Sequence, residues 1–372
     1  MKVLPNTFDR LWTDCSSDIL AAVERVGASG WYILGKEVVA FEAALAVWAK
    51  TPYVVGVANG MDALEIAFRI RGIGPGDKVL TTPLSAFPTA LSILRAGATP
   101  VYCDTDKHGL LDVAAAEAAF ASHPDIKAIA PVHLYGHLAD MNALQTLADK
   151  YGAIVFEDAA QAIGATRHGI QVGDNGRMAS LSFYPTKNLG VLGDGGALLV
   201  HTEADNTVAQ AMRNYGQTAK YVHDIPGLNS RLDEVHAATL TDAFLPRLSD
   251  WLKTRKRIAK TYLENITHPA VTLMPGPDTE GAGWHLFPVL VDIEKRDAFV
   301  AYLQNAGIGA ALHYPILMPE QRAITDYSTP VICGNLDTAR RIANSEVSLP
   351  IHPYLSEEEQ AYVIATINAW SE

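Results

Sequence analysis

The chain has 372 residues, which is enough for two domains of ordinary size. Hydrophobic residues make up 49% and charged residues 19% of it, a composition that is typical of a folded globular protein and excludes a disordered one. The formal net charge of −12 excludes the broad positive surface with which proteins bind nucleic acid or anionic membranes.

Short apolar runs and amphipathic stretches alternate through the first half of the chain, after an N-terminal helical stretch. The runs predicted as strands are 53–58, 78–83, 100–104, 126–134 and 153–159. The stretches predicted as helices between them are 61–70, 89–97 and 140–152. Because strands and helices alternate and the strands are apolar throughout, we expect an α/β layer with a mostly parallel sheet buried on both faces.

The first candidate site is the junction of a strand and a helix in "VANGMDALEIAF", residues 57–68. A turn at Asn59 and Gly60 follows the strand, and the helix starts at about Met61. The free N–H groups and the positive dipole end of such a helix start suit a phosphate. An ordinary connection between a strand and a helix has the same pattern. Asp62 would repel a phosphate, so we expect it to cap its own helix.

The second candidate is Asp158, in "AIVFEDAAQAIGA", residues 153–165. It falls at the carboxyl end of a predicted strand, the edge at which open α/β sheets bind their ligands. A buried carboxylate needs a partner, because burying it alone is costly. A protonated ring nitrogen, as in pyridoxal phosphate (PLP) sites, would satisfy it, and so would a salt bridge to an arginine.

The third candidate is Lys187, five residues after Ser182 at the end of the strand-like run "MASLSF", 178–183. A lysine in a partly desolvated loop can lose its proton and form a Schiff base with an aldehyde. Taken alone, such a lysine is more often a surface charge. The glycines that follow it permit close approach of a ligand and do not form a Walker loop. These glycines are Gly190, Gly193, Gly195 and Gly196.

The last third of the chain has a different organisation. The pattern from about Leu232 to Ile266 is long and helical. It is followed by a predicted strand at 284–292, a predicted helix at 295–308 and a further element at 309–315. We expect these elements to form a smaller domain of antiparallel strands and helices. The predicted domains are therefore 1–250 and 251–372.

The cysteines and the N-terminal residues bear on the compartment of the protein. Cys15, Cys103 and Cys333 are scattered and lack CxxC spacing, which predicts reduced thiols rather than a disulfide or zinc framework. The first residues contain no apolar core of signal-peptide length, and no stretch approaches about 18 uninterrupted apolar residues. We expect a cytoplasmic protein that binds no metal, no membrane and no nucleic acid.

The three candidate sites follow one another in the order found in PLP enzymes of fold type I. The chain resembles the PLP-dependent sugar-nucleotide aminotransferases of the aspartate aminotransferase superfamily, and the resemblance covers essentially its whole length. The segments that carry it are "SGWYILGKEVVAFEAALA", "NGMDAL", "EDAAQAIGA", "SFYPTKNLGVLGDGGAL", "GLNSRLDEVHAA" and "SLPIHPYLSEEE". The resemblance implies a large domain with a mostly parallel sheet between helices and a smaller α+β C-terminal domain.

The resemblance also implies the cofactor, PLP, and the residues that act on its reactive end. Lys187 would hold PLP covalently and shuttle the proton of the reaction. Asp158 would pair with the pyridinium nitrogen of the cofactor, and Gln161 would lie near its ring oxygen. A related branch of sugar dehydratases carries His in place of the lysine, so Lys187 argues against that activity.

Other positions match the residues that hold the cofactor's phosphate and ring. Gly60, Met61 and Ser182 would bind the phosphate, the first two through their backbone N–H groups. Many relatives carry Thr where Met61 stands, which removes one hydroxyl ligand. Phe87 aligns with an aromatic that stacks on the ring, and a buried core Phe is the alternative. Asn229 aligns with a residue that reaches the phosphate from the neighbouring subunit, so the resemblance implies a homodimer with shared active sites.

The substrates are also implied by the resemblance. L-Glutamate would donate the amino group and leave as 2-oxoglutarate, and a nucleotide-linked keto-sugar would receive it. Tyr184 is typical of the branch that acts at C-3 of dTDP-3-keto-6-deoxyhexoses, whereas C-4 branches more often carry His there. His313 and Tyr314 would contact the substrate, although "HYPILMPEQ", 313–321, departs from the pattern of relatives. The alternatives are a 4-aminotransferase, a UDP-3-keto-sugar aminotransferase and a non-catalytic PLP-binding regulator.

Overall fold

The structure of the protein is a computed structural model, which describes residues 1–327 and 329–371. Its helices are α1 (Phe8–Ser29), α2 (Lys36–Ala49), α3 (Gly60–Ile70), α4 (Pro88–Arg95), α5 (Val113–Ser122), α6 (Met141–Tyr151), α7 (Glu203–Met212), α8 (Glu234–Thr239), α9 (Leu245–Asn265), α10 (Arg296–Asn305), α11 (Arg322–Thr325), α12 (Asp337–Ser345) and α13 (Glu357–Asn368). Short 3-10 turns occur at Leu134–Gly136, Asp174–Gly176 and Met318–Glu320.

The strands form one large sheet and three small ones. They are β1 (Tyr53–Val57), β2 (Lys78–Thr81), β3 (Thr99–Cys103), β4 (Ile126–Ala130), β5 (Ile154–Asp158), β6 (Thr166–Arg167), β7 (Ile170–Gln171), β8 (Met178–Ser182), β9 (Gly196–Val200), β10 (Gln217–Ala219), β11 (Val222–His223), β12 (Val271–Leu273), β13 (Phe287–Val291), β14 (Val331–Cys333) and β15 (Glu346–Leu349). The large sheet has eight strands in the order β1-β9-β8-β5-β4-β2-β3-β14.

The large sheet is mostly parallel, as predicted. β9 is the exception, because it pairs antiparallel with both β1 and β8. The strands are apolar throughout because both faces are covered: Leu198 belongs to one hydrophobic core and Leu199 to the core on the opposite face. β9 and β14 are not among the predicted strands. β14 adds to the edge of the sheet by pairing in parallel with β3.

The pattern predicted as long and helical, from about Leu232 to Ile266, is helical in the structure from Glu234 to Asn265. A π-helical turn at Leu240–Phe244 joins α8 to α9 within it. Pro246 lies in the first turn of α9 and has no N–H to donate. A turn in which a prolyl N–H is missing cannot keep regular α-helical hydrogen bonds, and a wider turn results.

A second hydrophobic core lies in the C-terminal part of the chain. It packs the antiparallel sheet β12-β13-β15 against α9, α10 and α13. The predicted strand at 284–292 is shorter in the structure, at Phe287–Val291. The predicted element at 309–315 is irregular and holds to β15 through a bridge between Ala311 and Ser348. Val3 also belongs to this core, and α9 crosses residue 250, so the boundary between 1–250 and 251–372 stays a prediction.

Within residues 1–327 and 329–371, no helix is both long enough and apolar enough to cross a membrane.

Candidate active site

A cavity of about 380 Å³ opens at the carboxyl edge of the large sheet. The carboxyl ends of β1, β2, β4, β5 and β8 and the amino end of β9 all lead to this edge. The cavity is lined by Asn59, Gly60, Met61, Leu64, Ser85, Ala86, Pro88, Thr89, Val132, Asp158, Ala160, Gln161, Ser182, Tyr184, Lys187 and Asp194. All three candidate sites of the sequence therefore meet in one place.

The start of α3 forms one end of this cavity. Asn59 caps the helix, since its side chain accepts a hydrogen bond from the N–H of Asp62 at 2.8 Å. Among the described residues, the N–H groups of Gly60 and Met61 have no hydrogen-bond partner. A Cβ on Gly60 would lie 2.9 Å from that of Ser182, so only glycine lets the strand and helix approach so closely. Free N–H groups at a helix start next to a serine suit a phosphate.

Asp62 does not have the role that we expected of it. The cap of α3 is Asn59, and the Asp62 carboxylate accepts a hydrogen bond from the Asn59 amide and forms an ion pair with Arg95, both at 3.1 Å. The carboxylate is neutralised by Arg95 and is not part of the cavity wall. Its negative charge therefore does not oppose a phosphate at the helix start.

Asp158 is buried at the end of β5. Its Oδ2 accepts a hydrogen bond from the Thr89 hydroxyl at 2.7 Å, and its Oδ1 accepts one from the Ala160 N–H at 3.2 Å. No arginine or lysine forms an ion pair with it in the described part of the chain, which disfavours the salt bridge that the sequence left open. A carboxylate held by neutral donors keeps its charge available for a cation that enters the cavity.

Lys187 lies between β8 and β9, close to Asp158. A turn places it, with the Lys187 N–H donating to the Tyr184 carbonyl at 2.8 Å. Its ammonium has no hydrogen bond or ion pair within residues 1–327 and 329–371. Burial lowers the pKa of Lys187 from 10.5 to about 8, although the nearby Asp158 charge opposes the change. Gly190 is required in this loop, because a Cβ there would lie 2.3 Å from the Pro185 carbonyl oxygen.

A second cavity, of about 390 Å³, shares Tyr184 and Lys187 with the first. His285, His313, Tyr314 and Ser348 also line it. Gln161 joins the two regions: its Oε1 accepts from the Tyr135 N–H at 2.7 Å, and its Nε2 donates to the Tyr314 hydroxyl at 3.1 Å. The three side chains predicted to contact the substrate, Tyr184, His313 and Tyr314, therefore line one cavity together with the lysine.

Phe87 is partly buried beside the first cavity. Its neighbours Ala86 and Pro88 line the first cavity, whereas Phe87 packs against a hydrophobic cluster that includes Tyr102 and Ile324. Phe87 stands directly before Pro88 at the start of α4. Its stacking on a cofactor ring stays a prediction.

Asn229 does not line either cavity of its own chain. It is exposed and forms a bridge with Asn214. This position leaves it accessible to a second subunit, and its contact with a phosphate across an interface stays a prediction.

Two residues that the sequence did not single out contribute to the site. Thr89 donates to Asp158. Burial lowers the pKa of the His285 imidazole, and the charge of the nearby Lys187 lowers it further. Thr89 lies within a predicted helix and His285 within a predicted strand. Neither kind of pattern shows which distant side chain a polar group will meet.

The residues present fit PLP. An amine without a partner and with a lowered pKa can bond covalently to an aldehyde. A buried carboxylate with neutral partners can hold a protonated pyridine nitrogen, and the start of α3 beside Ser182 can hold a phosphate. Lys187, Asp158, Gly60 and Ser182 supply these three functions within one cavity.

The lowered pKa of Lys187 predicts how the protein without cofactor reacts with added PLP. Below about pH 8 the side chain is mainly an ammonium and cannot attack an aldehyde, so the attachment rate should rise about tenfold per pH unit and level off above about pH 8. Borohydride reduction at timed intervals, followed by mass spectrometry of the Lys187 peptide, measures this rate. A rate that levels off only near pH 10.5, the value of an ordinary lysine, would contradict the prediction.

Comparisons with known proteins agree with this interpretation. A model of the DegT/DnrJ/EryC1/StrS aminotransferase family matches residues 13–368. The dTDP-3-amino-3,4,6-trideoxy-alpha-D-glucose transaminase of Streptomyces venezuelae is 41% identical over 355 residues, which cover 95% of this chain and 92% of that protein. The dTDP-3-amino-3,6-dideoxy-alpha-D-galactopyranose transaminase of Aneurinibacillus thermoaerophilus is 40% identical over 354 residues, which cover 95% of each.

A solved structure gives the same result for the fold. The crystal structure of S. venezuelae DesV has a TM-score of 0.94 to this chain at 38% identity, and the match covers 100% of this chain and 99% of that one. The predicted fold class, a PLP-dependent transferase of fold type I, is thereby confirmed. The chain belongs to the DegT/DnrJ/EryC1/StrS aminotransferase family, and its cofactor is PLP.

Proposed function

We propose that the protein transfers the amino group of L-glutamate to C-3 of a dTDP-3-keto-6-deoxyhexose. The products are 2-oxoglutarate and a dTDP-3-amino-3,6-dideoxyhexose. The observation that carries the proposal is the position of Tyr184, which, like Lys187, lines both cavities. A sugar bound in the second cavity contacts both side chains at once. Both transaminase relatives are named after C-3 amino sugars that are linked to dTDP. These names support the choice of carbon and nucleotide.

The cofactor, when bound, supplies an aldehyde carbon that carries the amino group and a ring that withdraws electrons. The chain's own residues supply the rest. The Lys187 Nζ takes the proton from the α-carbon of glutamate in the first half of the reaction. It returns a proton to C-3 of the sugar in the second half. A pKa of about 8 suits this exchange, since Lys187 can both accept and give a proton near neutral pH.

Asp158 and the start of α3 orient the reacting groups in this proposal. The Asp158 carboxylate, held by Thr89 and Ala160, places a negative charge at the carboxyl end of β5. The N–H groups of Gly60 and Met61 and the Ser182 hydroxyl bind the phosphate.

We test the substrate by product analysis with 3-keto and 4-keto sugars linked to dTDP and to UDP, each with glutamate. The expected result is amination at C-3 of the dTDP-linked sugar, identified by NMR of the product. Amination at C-4 alone or preference for UDP would select the corresponding alternative. Glutamate alone should convert the bound cofactor to its amine form, whereas no change with any amino donor would favour the regulator.

The proposal includes a homodimer with shared active sites. Large apolar side chains are exposed along α1, α2 and the turn between them, a pattern typical of an interface. They are Phe8, Trp12, Leu20, Val23, Trp31, Tyr32, Ile33, Val39 and Val47. The exposed Asn229 is available to the partner's cavity, as the resemblance requires.

Mixed dimers test this arrangement. Lys187→Ala and Asn229→Ala chains are each expected to be impaired, and a dimer of one with the other retains one site with both residues intact. Random pairing of the two chains by co-expression should therefore restore about a quarter of the wild-type activity. Each variant expressed alone is the control. No recovery in a mixture that sedimentation shows to be dimeric would place Asn229 outside the partner's site.

A further inference from the structure

A chain of hydrogen bonds leads from a buried carboxyl group to His313 at the second cavity. The His313 backbone N–H donates to Glu346 Oε2 at 2.6 Å, and Ser348 Oγ lies 2.5 Å from Glu346 Oε1. The same Ser348 Oγ lies 2.9 Å from His313 Nδ1. Glu346 and Ser348 are two residues apart in β15, so their side chains stand on the same face of the strand. Backbone pairing of Ala311 with Ser348 holds the His313 segment against that face.

The carboxyl group of Glu346 lies in an unusual place for an acid. The residue is 1% exposed, and no lysine, arginine or histidine forms an ion pair with it within the described residues. Burying an unpaired carboxylate is costly, and an apolar residue would cost less at this position. The Glu346 carboxyl group is hydrogen-bonded to Ser348 and to the His313 N–H. These two residues line the second cavity, so the bonds connect the carboxyl group to it.

His313 offers one nitrogen to that cavity. Its Nδ1 faces Ser348, whereas its Nε2 has no hydrogen bond among the described residues. Burial and the Lys187 charge lower the pKa of His313 to about 4, so the ring is neutral at ordinary pH. A neutral imidazole has one N–H donor and one acceptor nitrogen, and the partner of Nδ1 decides which is which.

The charge of Glu346 determines the direction of this chain. A protonated Glu346 donates to Ser348, whose hydroxyl then donates to Nδ1, and the Nε2 of His313 carries the proton. An ionised Glu346 accepts from Ser348, whose oxygen then accepts from Nδ1–H, and Nε2 becomes an acceptor. The two states therefore present opposite hydrogen-bonding groups to a ligand in the cavity.

We propose that Glu346, acting through Ser348, is a positioning residue that determines whether His313 presents a donor or an acceptor to the sugar of the substrate. The proposal rests on the proposed function, in which the second cavity takes that sugar. A donor at Nε2 suits a keto oxygen, which has no proton of its own. An acceptor suits a hydroxyl or an amino group instead.

The surroundings of Glu346 determine the pH at which the His313 proton moves from Nε2 to Nδ1. Burial raises its pKa to about 8, and its bonds from His313 and Ser348 and the charge of Arg296 oppose the rise. The phenols of Tyr135 and Tyr314 also face it, and Lys187 and His285 face His313. Below about pH 8 we expect Glu346 to be protonated and His313 to carry its proton on Nε2. Above that pH the proton moves to Nδ1.

Nitrogen-15 NMR of the protein labelled with ¹⁵N-histidine tests the proposal without any substrate. His313→Gln assigns the signals, because a nitrogen that bears a proton and one that does not have widely separated shifts. In the wild-type protein the proton of the His313 ring should move from Nε2 to Nδ1 near pH 8. In Glu346→Gln the amide donates to Ser348 at every pH, so the Nε2–H form should persist throughout. Ser348→Ala should abolish the pH response, and Ser348→Thr, which keeps the hydroxyl, should restore it.

Lys187 titrates in the same range, so it needs its own control. Repeating the titration in Lys187→Ala should leave the exchange in place. One protonated nitrogen from pH 6 to 10 in the wild type would overturn the proposal, as would a response in Glu346→Gln equal to that of the wild type. Circular dichroism checks that each variant is folded.

Turnover supplies a second readout. Relative to wild type, Glu346→Gln should gain kcat/KM for the keto-sugar above about pH 8, by about tenfold per pH unit, because its donor form persists. An enzyme that turns over no keto-sugar at any pH would contradict the proposed function and leave the NMR result intact. An active keto-sugar enzyme in which the His313 tautomer ignores Glu346 would overturn this inference alone.

Discussion

Replacing Lys187 by alanine is expected to abolish covalent attachment of PLP and to lower transamination by about 10⁴-fold. The side chain is the amine of the cavity that has no partner among the described residues, and its pKa of about 8 lets it act as both nucleophile and proton carrier. Removing it takes away both functions at once. Mass spectrometry after borohydride reduction measures attachment, and stopped-flow mixing with glutamate measures the first half of the reaction.

The matched control is Lys253→Ala. Lys253 is exposed on α9 and pairs with Asp250, so its loss should change neither attachment nor rate. A small added amine should restore part of the proton transfer in Lys187→Ala without restoring attachment. If the reduced Lys187→Ala protein still carried the cofactor on a single lysine peptide, Lys187 would not be the anchor.

Replacing Asp158 by asparagine is expected to lower transamination by about 10²- to 10³-fold while the protein stays folded. The amide oxygen can take the place of Oδ1 and accept from the Ala160 N–H, and the amide nitrogen can take the place of Oδ2 and donate to the Thr89 hydroxyl oxygen, so the geometry is retained and the negative charge is lost. Without that charge the ring nitrogen of the cofactor has no partner to keep its proton. Single-turnover mixing with glutamate measures the loss, and absorbance measures how much cofactor stays bound.

Two further variants separate charge from position. Asp149→Asn, at an exposed carboxylate on α6, should leave the rate unchanged. Thr89→Val keeps the Asp158 charge but removes the bond at 2.7 Å, and a hydrogen bond to a charged group is worth about 1.5–3 kcal/mol. We expect a loss of about tenfold in that variant. An Asp158→Asn enzyme with wild-type turnover would show that the carboxylate has only a structural role.

The positions of Gly60, Asp158 and Lys187 were predictable because local patterns mark them. A strand that ends in a turn before a helix places Gly60, and the end of an apolar run places Asp158. The motif around Lys187 carries the resemblance to the family. The structure adds that all three line one cavity, as parallel strands that end at the same edge of a sheet would require.

An error occurred where a local pattern does not determine which side chain a polar group meets. Asp62 was predicted to cap its helix, but Asn59 is the cap, and the Asp62 carboxylate forms an ion pair with Arg95. The Arg95 side chain comes from another helix, and the spacing of one helix contains no information about it.

The sequence by itself determined the α/β class, the family and the order of the chemical groups along the chain, because these depend on residue types and local periodicity. Only the tertiary structure decided which side chains meet. Thr89 reaches Asp158 across 69 positions of the chain, and His313 reaches Glu346 across 33. Such contacts form when distant segments pack into shared cores, and packing depends on the whole set of shapes rather than on any one segment.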